Sequence, residues 1–239
     1  MIKLTERIYY MPHDEETDRP ILGYIKGDNF SLMIDSGNSK KHAELFIEEV
    51  EALDMRYPDF VAITHSHWDH TFGMKSLEAV SIACKRTNEI LEDMTMWQWT
   101  DKAMKERLEA GEDIEFCDTM IRKEYPELSD IKVKTADIVF NENLSLDLGQ
   151  ISCKLMRLES SHADDCVVAY IPEEKIIFIG DIISEDFHNG EVYYKDKLES
   201  LIKDFKGIDF NKALFGHLEP FTKEELIEWL EEVKYLNQF

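Results

Sequence analysis

Thr64-His65-Ser66-His67-Trp68-Asp69-His70 packs four side chains able to ligate a metal, three imidazoles and a carboxylate, into six residues. The apolar run Phe60-Val61-Ala62-Ile63 just before it reads as a buried strand, and Thr71 onward as the start of a helix. In extended chain, residues two apart point the same way, so His65 and His67 are placed to grip one ion. As the chain turns toward the helix, Asp69 and His70 are placed to face a neighbouring ion. Neutral imidazoles and carboxylates suit zinc and other borderline divalent metals. A lone histidine is ordinarily a surface or hydrogen-bonded side chain. His-x-His-x-Asp-His directly after a strand is a density of donors that chance seldom assembles.

Further donors recur at comparable places. His162 comes soon after the apolar segment Ile151–Leu158, Asp181 follows Lys175–Gly180, and His217 follows Ala213-Leu214-Phe215-Gly216. Each lies just past the end of a strand-like run, the edge where ligands gather in α/β architectures. His13, His42 and His188 lack that placement, and surface positions are expected for His13 and His42.

Around these donors the chain alternates short apolar runs with helix-like segments, without internal repeats, low-complexity runs or a linker. Strands are expected near 8–11, 21–26, 31–34, 60–63 and 80–83, then at 138–140, 144–148, 151–158, 167–171, 175–179 and 212–215. Helices are expected at about 40–53, 197–205 and 223–235. From Asn88 to Tyr125, Leu91, Met94, Trp97, Met104 and Leu108 fall at helical spacing, and Gly111 punctuates the stretch, which predicts two helices there. Strands in both halves with helices between them predict two packed sheets with helices outside, in a single domain spanning residues 1–239.

The 239 residues carry 27 Lys+Arg against 50 Asp+Glu, a formal charge of −23. Such a surface repels phosphate backbones, and no Lys/Arg-rich run offers a basic patch, so no nucleic-acid partner is expected. Bound divalent cations would offset some of this charge, although solubility is its plainer purpose. Cys84, Cys117, Cys153 and Cys166 show no Cys-x-x-Cys spacing and are expected as buried free thiols rather than a zinc-thiolate cluster. Without a signal-peptide core or an apolar run of membrane length, the expected location is the cytoplasm, with no membrane partner.

His65–His70, Ser160-Ser161-His162, Ile179-Gly180-Asp181 and Phe215-Gly216-His217 resemble, in order and spacing, the sequence motifs of the metallo-β-lactamase superfamily. Ile34-Asp35-Ser36-Gly37 matches that family's upstream Asp-Gly turn, so the resemblance runs from about Ile8 to His217. It implies a four-layer αβ/βα sandwich, here with a helical insert near 88–125, and two metals at one edge between the sheets. By position, His65, His67 and His162 would hold the first metal. Asp69, His70 and His217 would hold the second, and Asp181 would bridge them. Asp35 would orient the ligand-bearing loop; the other reading of Asp35 is a plain turn residue before Gly37.

The implied chemistry is hydrolysis by a hydroxide shared between two cations, most fittingly Zn2+, with Fe or Mn as alternatives. Asp69 could also orient that hydroxide and pass its proton to the leaving group. Residues 161–168 look like the matching stretch of class B β-lactamases, but those enzymes carry Cys or Ser where this chain has Asp181. Asp181 and the missing export signal point instead to the glyoxalase II, lactonase and general hydrolase branches. Nuclease branches fit the acidity poorly, and flavodiiron relatives carry Glu where this chain has His67. The expected substrate is a small ester, thioester, lactone or cyclic amide. A mononuclear iron dioxygenase of the persulfide type and a non-catalytic metal-binding sensor are the alternatives. The complete donor set speaks against the sensor, and the residues leave the first two readings open. Trp97 and Trp99 are read either as an apolar wall for the substrate's acyl group or as cover for one flank of the core.

Overall fold

The computed structural model describes residues 1–236. Its first sheet follows the chain, with β1 (Ile2–Lys3), β2 (Ile8–Met11), β3 (Leu22–Lys26), β4 (Ser31–Ile34), β5 (Phe60–Ala62), β6 (Val80–Cys84) and β7 (Ile138–Phe140) side by side. Pairing is antiparallel through β4 and parallel from β4 to β7. The crossovers carry α1 (Lys40–Ala52), α2 (a single turn, Trp68–Thr71), α3 (Lys85–Thr95), α4 (Asp101–Ala110) and α5 (Glu115–Glu124). The second sheet holds β8 (Asn143–Asp147), β9 (Ser152–Arg157), β10 (Val167–Ile171), β11 (Ile176–Gly180), β12 (Lys212–Phe215) and β13 (Phe221–Thr222), spatially in reverse order. Here β11 and β12 are parallel, joined through α6 (Lys195–Gly207), and α7 (Lys223–Leu236) follows β13.

The period of two explains the layers. In β4, Leu32 and Ile34 enter the core between the sheets while Met33 faces outward against Phe46 and Val50 of α1. In β10 and β11, Val167, Ala169, Ile176 and Phe178 point inward, whereas Val168, Ile177 and Ile179 meet Leu201 and Phe205 of α6 and Leu226 of α7. Strands covered on both faces read as continuous apolar runs, and β4, β10 and β11 are buried throughout. The result is helix, sheet, sheet, helix, as the motif resemblance implied.

Three expectations need correction. The stretch 88–125 lies in three helices, because the chain breaks at 96–100 as well as at Gly111: Thr100 Oγ1 accepts from Ala103 N and opens a separate α4. The helix after the histidine loop starts at Trp68 rather than Thr71. His42 is not a surface residue but is 1% exposed. It sits in the first turn of α1, where Gly37 lets the chain pass so close that a β-carbon there would stand 2.6 Å from His42 Nδ1. Three of the cysteines are buried and Cys117 is partly so, all of them free. Among the described residues, no helix is long and apolar enough to cross a membrane.

Candidate metal centre

Parallel pairing of β4 with β5 and of β11 with β12 brings the ends of all four strands to one edge of the sandwich. Asp35 follows β4, the histidine loop follows β5, Asp181 follows β11 and His217 follows β12. Two backbone bonds tie the sheets together there: Val167 N donates to Thr64 O at 2.7 Å, and Ile21 N to Gly216 O at 2.6 Å.

Asp35, in the left-handed region at φ 57°, organises the histidine loop. Its Oδ1 accepts from Thr64 N at 2.7 Å, its Oδ2 accepts from Thr64 Oγ1 at 2.9 Å, and Oδ2 lies 2.8 Å from His70 Nδ1. A carboxylate only accepts, so His70 carries a proton on Nδ1, and its Nε2 is the atom turned toward Asp69 and Asp181. Asp35 thus bonds both the backbone and the side chain of Thr64 and contacts His70, so its carboxylate is tied into the histidine loop as well as forming the turn. Asp165 holds the other side of the loop, accepting from Ser66 N at 2.8 Å and from Thr87 Oγ1 of α3 at 2.9 Å.

His65, His67 and His162 form one group, each offering a ligand atom within 4.8 Å of the others. His162 Nδ1 is 3.1 Å from the carbonyl of Glu185 and therefore donates. His65 Nδ1 is 3.1 Å from Thr64 Oγ1, whose own proton goes to Asp35, so this nitrogen donates too. The two remaining Nε2 lone pairs then face one another at 3.3 Å, an arrangement that a cation between them stabilises. Burial, followed by the neighbouring imidazoles, drives His65 well below its ordinary range and His67 down to about 3, which keeps both neutral as ligands must be.

Asp69, His70, Asp181 and His217 form the second group. Asp69 Oδ2 lies 3.0 Å from His70 Nε2 and 3.1 Å from His217 Nε2. Asp181 Oδ2 lies 3.2 Å from His217 Nε2, 3.5 Å from His70 Nε2 and 3.9 Å from His162 Nε2, which sets it beside His70 and His217 and near one imidazole of the first group. Burial works against charge here, yet mutual attraction outweighs it. The carboxylates of Asp69 and Asp181 are held well below their usual range by His70 and His217, and those imidazoles are held well above theirs by the carboxylates. His70 Nε2 and Asp181 Oδ1 are nonetheless buried without a hydrogen bond. A divalent cation would satisfy these orphaned atoms and the carboxylates around them. The nitrogen and oxygen donors fit a divalent metal at each group.

The seven residues read as donors therefore stand close together in two groups, with Asp181 in the group of Asp69, His70 and His217. The structure adds Asp18, at φ 55°, whose Oδ1 is 3.5 Å from His217 Nδ1. Burial and then the Asp69 charge push its carboxyl up to about 7. Asp18 lies among several acidic residues and carries no motif, so nothing in its sequence context marked it. His188 and Phe187 also reach the site, their rings 5.9 Å from His67 and 5.8 Å from His162. A cavity of about 580 Å³ opens beside His67 and His162 and is walled by Phe72, Met94, Trp97 and Trp99. The two tryptophans also pack on the apolar cluster outside the first sheet.

A family model described as the metallo-beta-lactamase superfamily matches residues 23–217. Among solved structures, a metallo-beta-lactamase family protein from Thermus thermophilus is 15% identical with a TM-score of 0.68, over 99% of this chain and 81% of that one. The DIM-1 metallo-beta-lactamase is 16% identical with a TM-score of 0.67, over 98% and 96%. A stereoselective inverting sec-alkylsulfatase from Pseudomonas sp. is 13% identical with a TM-score of 0.71, over 99% of this chain and 41% of that one. At such identities the likeness speaks for the fold. A search of curated proteins gives no match. With the family model spanning the strands, the histidine loop and the last of the clustered donors, the chain belongs to the metallo-beta-lactamase superfamily.

Proposed function

We propose that this protein is a hydrolase dependent on two divalent cations, most fittingly Zn2+, acting on a small ester, thioester, lactone or cyclic amide. The observation that carries this reading is the pair of adjoining donor groups with Asp181 within reach of both. His65, His67 and His162 would hold one ion, Asp69, His70 and His217 the other, with Asp181 shared. Bound divalent cations supply Lewis acidity and lower the pKa of water toward neutrality, so no strong protein base is needed. The chain's own residues do the rest. Asp35, Thr64 and Glu185 O fix the imidazole tautomers, and Asp69 is placed to orient a water and return its proton to the leaving group. Asp181 supports the hydrolase reading over a β-lactamase with Cys or Ser at that position.

Gently purified protein should contain about two divalent ions per chain by elemental analysis and hydrolyse members of an ester, thioester, lactone and β-lactam panel. A single tightly held iron with persulfide-dependent oxygen uptake would overturn this reading in favour of the dioxygenase. Metal uptake should also release protons. His70 and His217 are held well above their ordinary range in the metal-free chain, so a cation that takes their Nε2 atoms must displace protons from them. Apparent affinity should accordingly fall as pH drops, and zinc titration in weak buffer should acidify the solution. Uptake without proton release would contradict the assignment of the second group.

A further inference from the structure

Arg107 of α4 closes over two tryptophans in the segment that joins α3 to α4. Its guanidinium carbon lies 4.6 Å from the Trp97 ring centroid and 4.8 Å from that of Trp99. The two rings are themselves 5.8 Å apart, inclined at 52°. Arg107 is only 6% exposed; Nη1 donates to Gln98 O at 3.2 Å, while Nε and Nη2 are buried without a hydrogen bond. Guanidinium remains charged at any working pH, so the indole faces stand in for the acceptors it lacks. Both indoles line the cavity beside His67 and His162, and Arg107 is not part of that lining.

We propose, building on the hydrolase reading above, that Trp97 and Trp99 form the acyl subsite and that Arg107 tunes it for a neutral apolar group, aromatic or long aliphatic, against a cationic one. A pair of indoles beside a cavity is otherwise a receptor for quaternary ammonium groups, since ring faces attract cations. Here the faces already serve a resident cation, which draws ring electrons toward itself and repels a second positive charge through a poorly screened interior. Among the carboxylates that line the cavity, Asp113 and Glu112 act on the Arg107 charge itself, and Asp113 also accepts from Ile114 N at 2.8 Å. Asp164 pairs with Arg86 at 3.0 Å, and Asp186 accepts from Asn189 and Tyr194. Apolar surface remains: Phe72 meets Trp99 edge-on at 5.1 Å, and Met94 and Ile90 continue the wall.

Two ligands that cannot be hydrolysed test the subsite through tryptophan fluorescence of the metal-loaded protein: 4-phenyl-1-butanol and 4-phenylbutyltrimethylammonium. The alcohol should bind at least roughly tenfold more tightly. The gap should close to within about threefold in Arg107→Met and persist in Arg107→Lys, which keeps the charge. Trp97→Leu should weaken the alcohol. In parallel, 4-nitrophenyl hexanoate should be cleaved with higher kcat/KM than its 6-trimethylammonio analogue. Equal or tighter binding of the ammonium ligand to the wild-type protein overturns the proposal, even if Arg107→Met fails to fold. An undiminished gap in a folded Arg107→Met overturns the role of Arg107. Binding preference without hydrolysis of any ester supports the subsite while removing the hydrolase reading; hydrolysis without preference removes the subsite alone.

Discussion

Asp181→Ala is expected to strip the protein of most of its metal and to lower hydrolysis about a thousandfold or more, whereas Asp35→Ala should weaken metal affinity only about 10–100-fold. The difference follows from reach. Asp181 lies 3.2 Å from His217 Nε2 and 3.9 Å from His162 Nε2, so its loss would remove the proposed bridge between the two groups. Asp35 touches the ligands at one remove, through His70 Nδ1 and Thr64. Several kcal/mol of lost transition-state stabilisation corresponds to three decades at about 1.36 kcal/mol per decade. The fold of Asp181→Ala should survive, because the residue sits past the end of β11 rather than in the apolar layers. Elemental analysis after dialysis and circular dichroism check both statements. Full metal content and turnover in Asp181→Ala would show that the carboxylate bridges nothing.

Gly216→Ala should produce a comparable loss of metal by a purely steric route. A β-carbon at Gly216 would stand 2.1 Å from Asp181 Oδ1 and 3.2 Å from His70 Cε1, so the carboxylate must swing away from its imidazole partners. Backbone strain is not the issue, since Gly216 is absent from the residues in the left-handed region. The expected result is metal affinity weaker by at least about tenfold, by chelator competition, with little change in the Tm of the metal-free protein. Wild-type affinity in Gly216→Ala would mean that Asp181 does not bind metal in the orientation seen here. A collapse of the metal-free Tm would mean instead that Gly216 serves packing between the sheets, where its carbonyl accepts from Ile21 N.

Much of the centre was legible locally. The density of His65, His67, Asp69 and His70 after a strand, and the placement of His162, Asp181 and His217 beyond apolar runs, follow from short-range order that a linear reading preserves. The strands were equally visible, because burial on both faces leaves continuous apolar runs such as Val167–Ile171 and Ile176–Gly180. Reading 88–125 as two helices failed for a local reason as well, because the polar cap at Thr100 is a weaker signal than Gly111.

The sequence by itself determined the donor set, the layered architecture and the acidic surface, since each depends on residue type and on periods of two or 3.6. Only the tertiary structure decided which donors meet. His65 faces His162 across 97 residues and His217 faces Asp69 across 148, and these meetings rest on the parallel register of β11 with β12 and on the packing of one sheet against the other. The same long-range packing buried His42 and carried Asp18 to His217. These placements had no local signature, because a side chain's chemistry is written in its identity whereas its neighbours are fixed by how whole sheets and helices stack.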